Sequence, residues 1–257
     1  MYKPIKELGQ NFLTDPKIVE SMVNALEFRE GSDLIEIGPG HGVLTRLIVQ
    51  RIKDRDIVLN AVEIDNRLGA KITQEFSGVK NVKVYREDIL GFLPKFECKR
   101  PFSIIGSLPY YITSPILHKV IKMKSLPEVC VFLVQKEVAE KIKNIAPDTS
   151  YLSSFIQSFY NVIYLGKVDA DKFDPVPDVD GGILKFVKRD FSDRVGRKFI
   201  ERYEGFLHKA YSHPRKMLNK AFLKEELEKG KVGPSLRAQN LNADEWLAFF
   251  RILNPKI

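Results

Sequence analysis

The sequence predicts an α/β fold: a doubly wound, mostly parallel, seven-stranded sheet with a small C-terminal helical domain. Three observations carry this. Short apolar runs alternate with amphipathic helical stretches, the rhythm of parallel strands joined by right-handed crossovers. A glycine-rich turn, Gly38-Pro39-Gly40-His41-Gly42, follows the first of those runs. Acidic residues then stand at the ends of three successive units, as Glu36, Glu63 and Asp88, and ligands of such sheets sit at strand carboxyl ends beside the point where strand order reverses.

Each element has its own signal. Residues 6–13 (Lys-Glu-Leu-Gly-Gln-Asn-Phe-Leu) form an arm before a helix marked by Asp15 as N-cap and Pro16 at its first position. Ile18, Val19, Met22, Val23 and Leu26 give that helix one apolar face, and the arm before it could close over a pocket. Strands are expected at 33–37, 56–62, 81–86, 101–106 and 129–135, with helices from 43, over 67–76, over 114–123 and from 136. Residues 149–158 read as a further helix. The runs 161–168 and 182–187 read as a closing hairpin around a loop, 169–181, that Pro175 and Pro177 keep stiff and extended around Phe173. Beyond Arg189 the pattern turns to helices at 195–211 and 215–229 and a last one opened by a capping box, Asn242 with Glu245. The domains are therefore set at 1–189 and 190–257.

Composition narrows the class of protein. The chain has 257 residues, 44% hydrophobic and 29% charged, as in a globular protein. No apolar run approaches the ~20 residues of a membrane span, so a cytoplasmic protein without membrane contact is expected. The two cysteines, Cys98 and Cys130, lie outside any Cys-x-x-Cys and the four histidines are scattered, so neither disulfides nor a metal site are expected. From Phe191 onward there are 14 Lys plus Arg against 8 Asp plus Glu, a net +6 of the chain's +8. A basic helical tail of this kind favours a nucleic-acid partner.

The glycine turn indicates a ligand pressed against backbone, because glycine adopts positive φ and lacks the Cβ that would hold a ligand away. A dinucleotide fingerprint would place its third glycine at Val43, so that pattern fails. With Glu63 at the end of the next strand to accept both ribose hydroxyls, the set resembles the S-adenosylmethionine pocket of doubly wound methyltransferases. Ser107-Leu108-Pro109-Tyr110 resembles the loop of enzymes that methylate exocyclic amines. An adenine N6 amine is a weak nucleophile because its lone pair is delocalised, so it gains from an acceptor for each N–H. The Ser107 side chain and the Leu108 carbonyl could accept, Pro109 would stiffen the loop, and Tyr110 offers a face on which a flipped base can stack.

Leu8-Gly-Gln-Asn-Phe-Leu13, the Glu36–Gly42 turn, Glu63-Ile64-Asp65, Asp88, Leu108-Pro-Tyr110, Gln135-Lys-Glu-Val-Ala139, Phe173-x-Pro-x-Pro177 and His213-Pro-Arg-Lys-Met-Leu218 occur in this order. Together they resemble the ribosomal RNA adenine N6,N6-dimethyltransferases, and most of all the group acting on the small-subunit (16S) rRNA, over nearly the whole chain. The resemblance implies that Gln10, Asn11 and Leu13 contact the methionine part of S-adenosylmethionine and that Gly38 and Gly40 contact its backbone. It implies Glu63 and Ile64 at the ribose, and Asp88 and Ile89 at the adenine. Ser107, Leu108 and Tyr110 would hold the target adenine, with Phe173 closing its other side and Ser107 also beside the cofactor. The implied substrate is a pair of adjacent adenosines in a hairpin loop near the 3′ end of 16S rRNA, in the 30S subunit or its precursor, acted on by a monomer. Three positions depart from the family's habit: Ser107 replaces an Asn, Asp178 a Lys and Gly181 a Ser. Two other readings stay open, a 23S rRNA adenine methylase of the erythromycin-resistance type and a ribosome-assembly factor with weakened catalysis.

Overall fold

The computed structural model describes residues 3–255, with Lys6, Asp193 and Arg194 described by their backbone alone. Two compact units share the chain, Met1–Ala139 with Ile163–Lys188, and Glu140–Val162 with Arg189–Ile257. The sequence placed a single boundary between 189 and 190; the structure differs in that Glu140–Val162 goes with the C-terminal segment. The reason is a set of hydroxyl contacts. Within α7 (Tyr151–Gln157) and its flanks, Thr149 and Ser154 meet the Tyr211 hydroxyl at 2.8 Å each, and Ser158 meets the Tyr203 hydroxyl at 2.6 Å. Both tyrosines belong to α8 (Arg197–Tyr211).

In the first unit, β1 (Phe12–Leu13) leads to α1 (Pro16–Asn24), where Asp15 accepts from the Lys17 and Ile18 amides. Then follow β2 (Ser32–Ile37), α2 (Val43–Ile52), β3 (Ile57–Val62), α3 (Asn66–Glu75), β4 (Val82–Tyr85), α4 (Ile89–Phe92), β5 (Phe102–Ser107), α5 (Thr113–Ile121), β6 (Val129–Gln135) and the start of α6 (Lys136–Lys143). The last strands are β7 (Tyr160–Val168), β8 (Phe173–Asp174) and β9 (Gly181–Lys188).

The sheet has seven strands in the order β4-β3-β2-β5-β6-β9-β7. β3, β2, β5 and β6 pair in parallel and β9 runs antiparallel to β6. Strands buried on both faces need continuous apolar runs, and Leu34, Ile35, Leu59, Ile104 and Ile105 are fully buried. Order reverses between β2 and β5, which brings the Gly38–Gly42 turn and Ser107 to one crevice.

The loop of 169–181 holds more structure than its prolines indicate. A 3-10 turn (Ala170–Lys172) leads into β8, which pairs antiparallel with β1, Phe12 opposite Asp174 and Leu13 opposite Phe173. The arm and the Phe173 loop are thus one two-stranded ribbon.

The second unit contains α7, α8, α9 (Lys224–Gly230) and α10 (Ala243–Leu253) around Tyr203, Trp246, Phe249 and Phe250. The capping box of α10 is formed in both directions, at 2.8 and 2.9 Å. The helix expected over 215–229 is shortened to α9, preceded by a 3-10 turn (Leu218–Lys220). Backbone pairing explains this: Leu218 N–H donates to Leu236 O at 2.7 Å and Met217 bridges Arg237. Those groups are therefore withdrawn from any helical ladder.

Gly106 sits opposite Ile37 in the β2–β5 pair, and a Cβ there would lie 2.8 Å from the Ile37 carbonyl oxygen. Gly106→Ala should therefore part the two strand ends that flank the crevice. The expected loss is about 1 to 3 kcal/mol, read as a lower urea midpoint; an unchanged midpoint would show that the strands adjust freely.

Candidate active site

One cavity of about 290 Å³ lies at the carboxyl ends of β2, β3, β4 and β5. Its walls include every residue that the sequence singled out for the cofactor and the target: Gln10, Asn11, Leu13, Gly38, Gly40, Glu63, Ile64, Asp88, Ile89, Ser107, Leu108, Tyr110 and Phe173.

Gly38, Gly40 and Gly42 all adopt left-handed backbone, with φ of +64°, +55° and +80°. At Gly38 an added Cβ would meet nothing within 4 Å, whereas at Gly40 it would lie 2.9 Å from the Phe12 ring. The turn thus has one open face, toward the cavity, and one face covered by the arm. The Phe12 and His41 rings are 4.2 Å apart.

Glu63 fixes the turn. Its carboxylate accepts from the Gly40 amide and from the Asp65 amide, each at 2.9 Å. Burial raises its pKa even though these two donors favour the charged form. Asp65 then caps α3 through the Arg67 amide and accepts from Gln10 Nε2 at 3.0 Å. The Arg67 guanidinium holds its carboxyl well below the usual range, with help from Gln10. Gln10 in turn accepts from the Ile5 amide at 2.7 Å. A chain of hydrogen bonds so runs from the end of β3 to the arm.

On the other wall, Ser107 ends β5 and Leu108 donates its N–H to Leu133 O at 2.9 Å. Ile112 N–H and the Thr113 hydroxyl donate to Pro109 O, at 3.2 Å each, so the loop is held as a tight turn. Among the described residues the buried Tyr110 hydroxyl meets no hydrogen-bond partner. Burial, reinforced by Asp180, pushes its pKa up to about 12. Phe173 is only 3% exposed and lies in the wall rather than standing free in the cavity. Asp88 is exposed and caps α4 through the Leu90 amide at 2.9 Å, which still leaves lone pairs for a ligand.

Three aromatic wall residues were not singled out in the sequence: Phe12, His41 and Tyr111. All three lie inside or beside motifs that were, and their aromatic character next to a nucleoside site was the available signal.

These residues fit S-adenosylmethionine. The open face at Gly38 leaves room for a ligand against main chain. Glu63 has unused lone pairs for two hydroxyls, and Ile64, 48% exposed, offers an apolar face at the same wall. Among the described residues no cluster of His, Cys, Asp or Glu could hold a metal ion, and no helix is long and apolar enough to cross a membrane.

Glu36 is singled out by the same motif but stands outside the cavity wall, fully buried beneath the turn. Burial, with a smaller contribution from Glu63, pushes its pKa up to about 8 from 4.5. The folded chain therefore holds a proton here that the unfolded chain releases. The associated stability is full below about pH 4.5 and is lost as pH rises through about 8, by up to about 1.4 kcal/mol per unit. Glu36→Gln should flatten this dependence, its urea midpoint gaining on wild type across that window; parallel midpoints would refute the assignment.

The family model described as ribosomal RNA adenine dimethylase matches residues 2–255. The ribosomal RNA small subunit methyltransferase A of Sulfurihydrogenibium sp. is 30% identical over 98% of this chain and 96% of its own. That of Mycoplasmopsis pulmonis is 34% identical over 95% and 97%. Among solved structures, the 23S rRNA methyltransferase ErmE superposes with a TM-score of 0.74 at 27% identity, covering 95% of this chain and all of that one. A dimethyladenosine transferase from Plasmodium falciparum reaches 0.78 at 22% identity, over 95% and 98%, a likeness of fold. With the whole chain matched and a cavity that fits the cofactor, the protein belongs to the ribosomal RNA adenine dimethylase family and is an S-adenosylmethionine-dependent rRNA adenine dimethyltransferase.

Proposed function

We propose that the chain dimethylates the N6 amines of two adjacent adenosines in the hairpin loop near the 3′ end of 16S rRNA, acting as a monomer on the small subunit or its precursor. The observation that carries this reading is that the cofactor cradle, Gly38, Gly40 and Glu63, and the amine loop, Ser107 to Tyr110, line one cavity. The relatives named for the small subunit align over nearly their whole length, which supports the choice of subunit.

The cofactor, when bound, supplies an electrophilic methyl group on sulfur. Gln10, Asn11 and Leu13 would hold its methionine end, Gly38 and Gly40 its middle, Glu63 and Ile64 the ribose, and Asp88 and Ile89 the adenine. The Ser107 hydroxyl and the Leu108 carbonyl accept the two N–H groups of the target amine, so that its lone pair points at the methyl. The Leu108 N–H donates to the Leu133 carbonyl, which fixes the backbone that carries the accepting Leu108 carbonyl. Tyr110 stacks on the base and Phe173 closes the far side. Most of the rate gain comes from orientation, for which about 7 to 11 kcal/mol is available.

Within the C-terminal unit, His213, Pro214, Arg215, Lys216 and Met217 are all exposed, and this basic segment is assigned to RNA phosphates. The second reading, methylation of 23S rRNA, is favoured by the ErmE superposition.

Incubation of undermethylated 30S and 50S subunits with labelled cofactor, followed by mass spectrometry of the rRNA, should find dimethyladenosine in 16S rRNA; label confined to 23S rRNA would reverse the choice. Ser107→Ala, which removes one acceptor, should lower kcat by about tenfold, and a rate equal to wild type would remove Ser107 from the reaction. Replacing Arg215 and Lys216 by Ala should weaken particle binding and reduce the slope of log affinity against log salt by about one per lost phosphate contact. Cofactor affinity should stay unchanged, and an equal fall in it would refute the division of labour.

A further inference from the structure

We infer that Tyr111 is a stacking platform for the nucleobase next to the target adenine, so that the site grips two consecutive unpaired nucleotides. This rests on the reading of the cavity as the seat of a flipped adenine. Tyr111 lines the same cavity as Tyr110, yet it is 57% exposed while Tyr110 is half-buried. Among the described residues it is the one aromatic side chain in the set of exposed large hydrophobic groups.

Its exposure is not that of a loose side chain. One ring edge rests on the backbone of the arm: a Cβ at Gly9, whose φ is +59°, would come within 3.0 and 3.1 Å of Tyr111 Cδ1 and Cε1. Its backbone lies in a 3-10 turn, Tyr110–Ile112, closed by Ile112 N–H to Pro109 O. A ring held on a rigid turn and pinned along one edge has lost most of its freedom already, which lowers the entropy cost of stacking. It still leaves most of its surface in water.

The chemistry of the partner follows from position. A nucleotide whose base enters the cavity is joined by one phosphodiester to its neighbour, which must pass the lip where Tyr111 stands. A flat apolar face there fits any base, because every base has a π-face. Tyr111 therefore adds grip without adding sequence readout, as befits a site that must accept either of two adjacent adenosines in turn.

The test uses the full chain, labelled cofactor and reconstituted small subunits that carry either the intact hairpin loop or one with an abasic nucleotide beside the target adenosine. On the intact loop, Tyr111→Ala and Tyr111→Leu should raise KM for the particle by about 5- to 150-fold, the equivalent of one stack. Tyr111→Phe should stay near wild type, and cofactor affinity should be the same in all four proteins. On the abasic loop, wild type should fall to the level of Tyr111→Ala and the variants should lose nothing further. An equal penalty for Tyr111→Ala on both loops, or a parallel loss of cofactor affinity, would overturn the platform and leave a ring that only packs on the arm. An active wild type with an equally active Tyr111→Ala would overturn the inference alone. A wild type that leaves the intact loop unmethylated would overturn the parent reading, and the inference with it.

Discussion

The carboxylate of Glu63 is the point on which the site depends. Three glycines in left-handed backbone would give up more conformational entropy on folding than any other residues, so the turn needs an external tie. Glu63 provides it by accepting from the Gly40 amide with one oxygen and from the Asp65 amide with the other. One side chain thereby fixes the cradle after β2, the start of α3 and, through Asp65 and Gln10, the arm. Its burial raises the cost of the charge, and the two backbone donors offset that cost only because both point at it in the folded chain. The order matters: the acid that would meet a ribose is held in place by backbone before any ligand arrives.

The arm is the second constraint. Phe12 covers the rear of Gly40, Leu13 is buried, and both pair with the Phe173–Asp174 strand. Residues over 150 positions apart in sequence therefore move together. Because Phe12, Leu13 and Phe173 all line the cavity, a displacement of either strand changes its walls. Phe173 is best understood in this light, as a wall residue whose position is set by Leu13 and the core.

Much of this was legible. The strands and crossovers followed from apolar runs long enough to be buried on both faces, and the last helix from a capping box that forms as the pattern requires. The residues chosen for cofactor and target all meet in one cavity. What escaped has a common cause, which is dependence on a distant partner. Two strands of two residues each have no periodicity to read, so the ribbon of β1 and β8 was invisible. The start of the helix expected over 215–229 is lost because Leu236 and Arg237 decide the backbone bonding of Leu218 and Met217. Residues 140–162 carry no boundary signal, and distant partners assign them, among them the tyrosines of α8 and the Gln239 and Leu241 carbonyls.

Two of the departures from the family's habit, Ser107 and Gly181, are connected in space through Leu133. Ser107 stands opposite Leu133 in the β5–β6 pair, and Leu108 is fixed by its bond to the Leu133 carbonyl. From the other side, a Cβ at Gly181 would lie 2.8 Å from Leu133 Cδ1 and 3.4 Å from the Phe173 ring. A serine at 181 would therefore press on Leu133, which anchors the Ser107–Tyr110 loop, and on the Phe173 ring in the cavity wall. On the proposed reading, a short side chain at 107 would make the position of the loop backbone matter more, because less of the amine's geometry could be recovered by side-chain rotation. The absence of a Cβ at 181 leaves Leu133 and Phe173 undisturbed, and so preserves the placement of the Leu108 carbonyl, on which the proposed grip of the amine would depend more with the shorter Ser107.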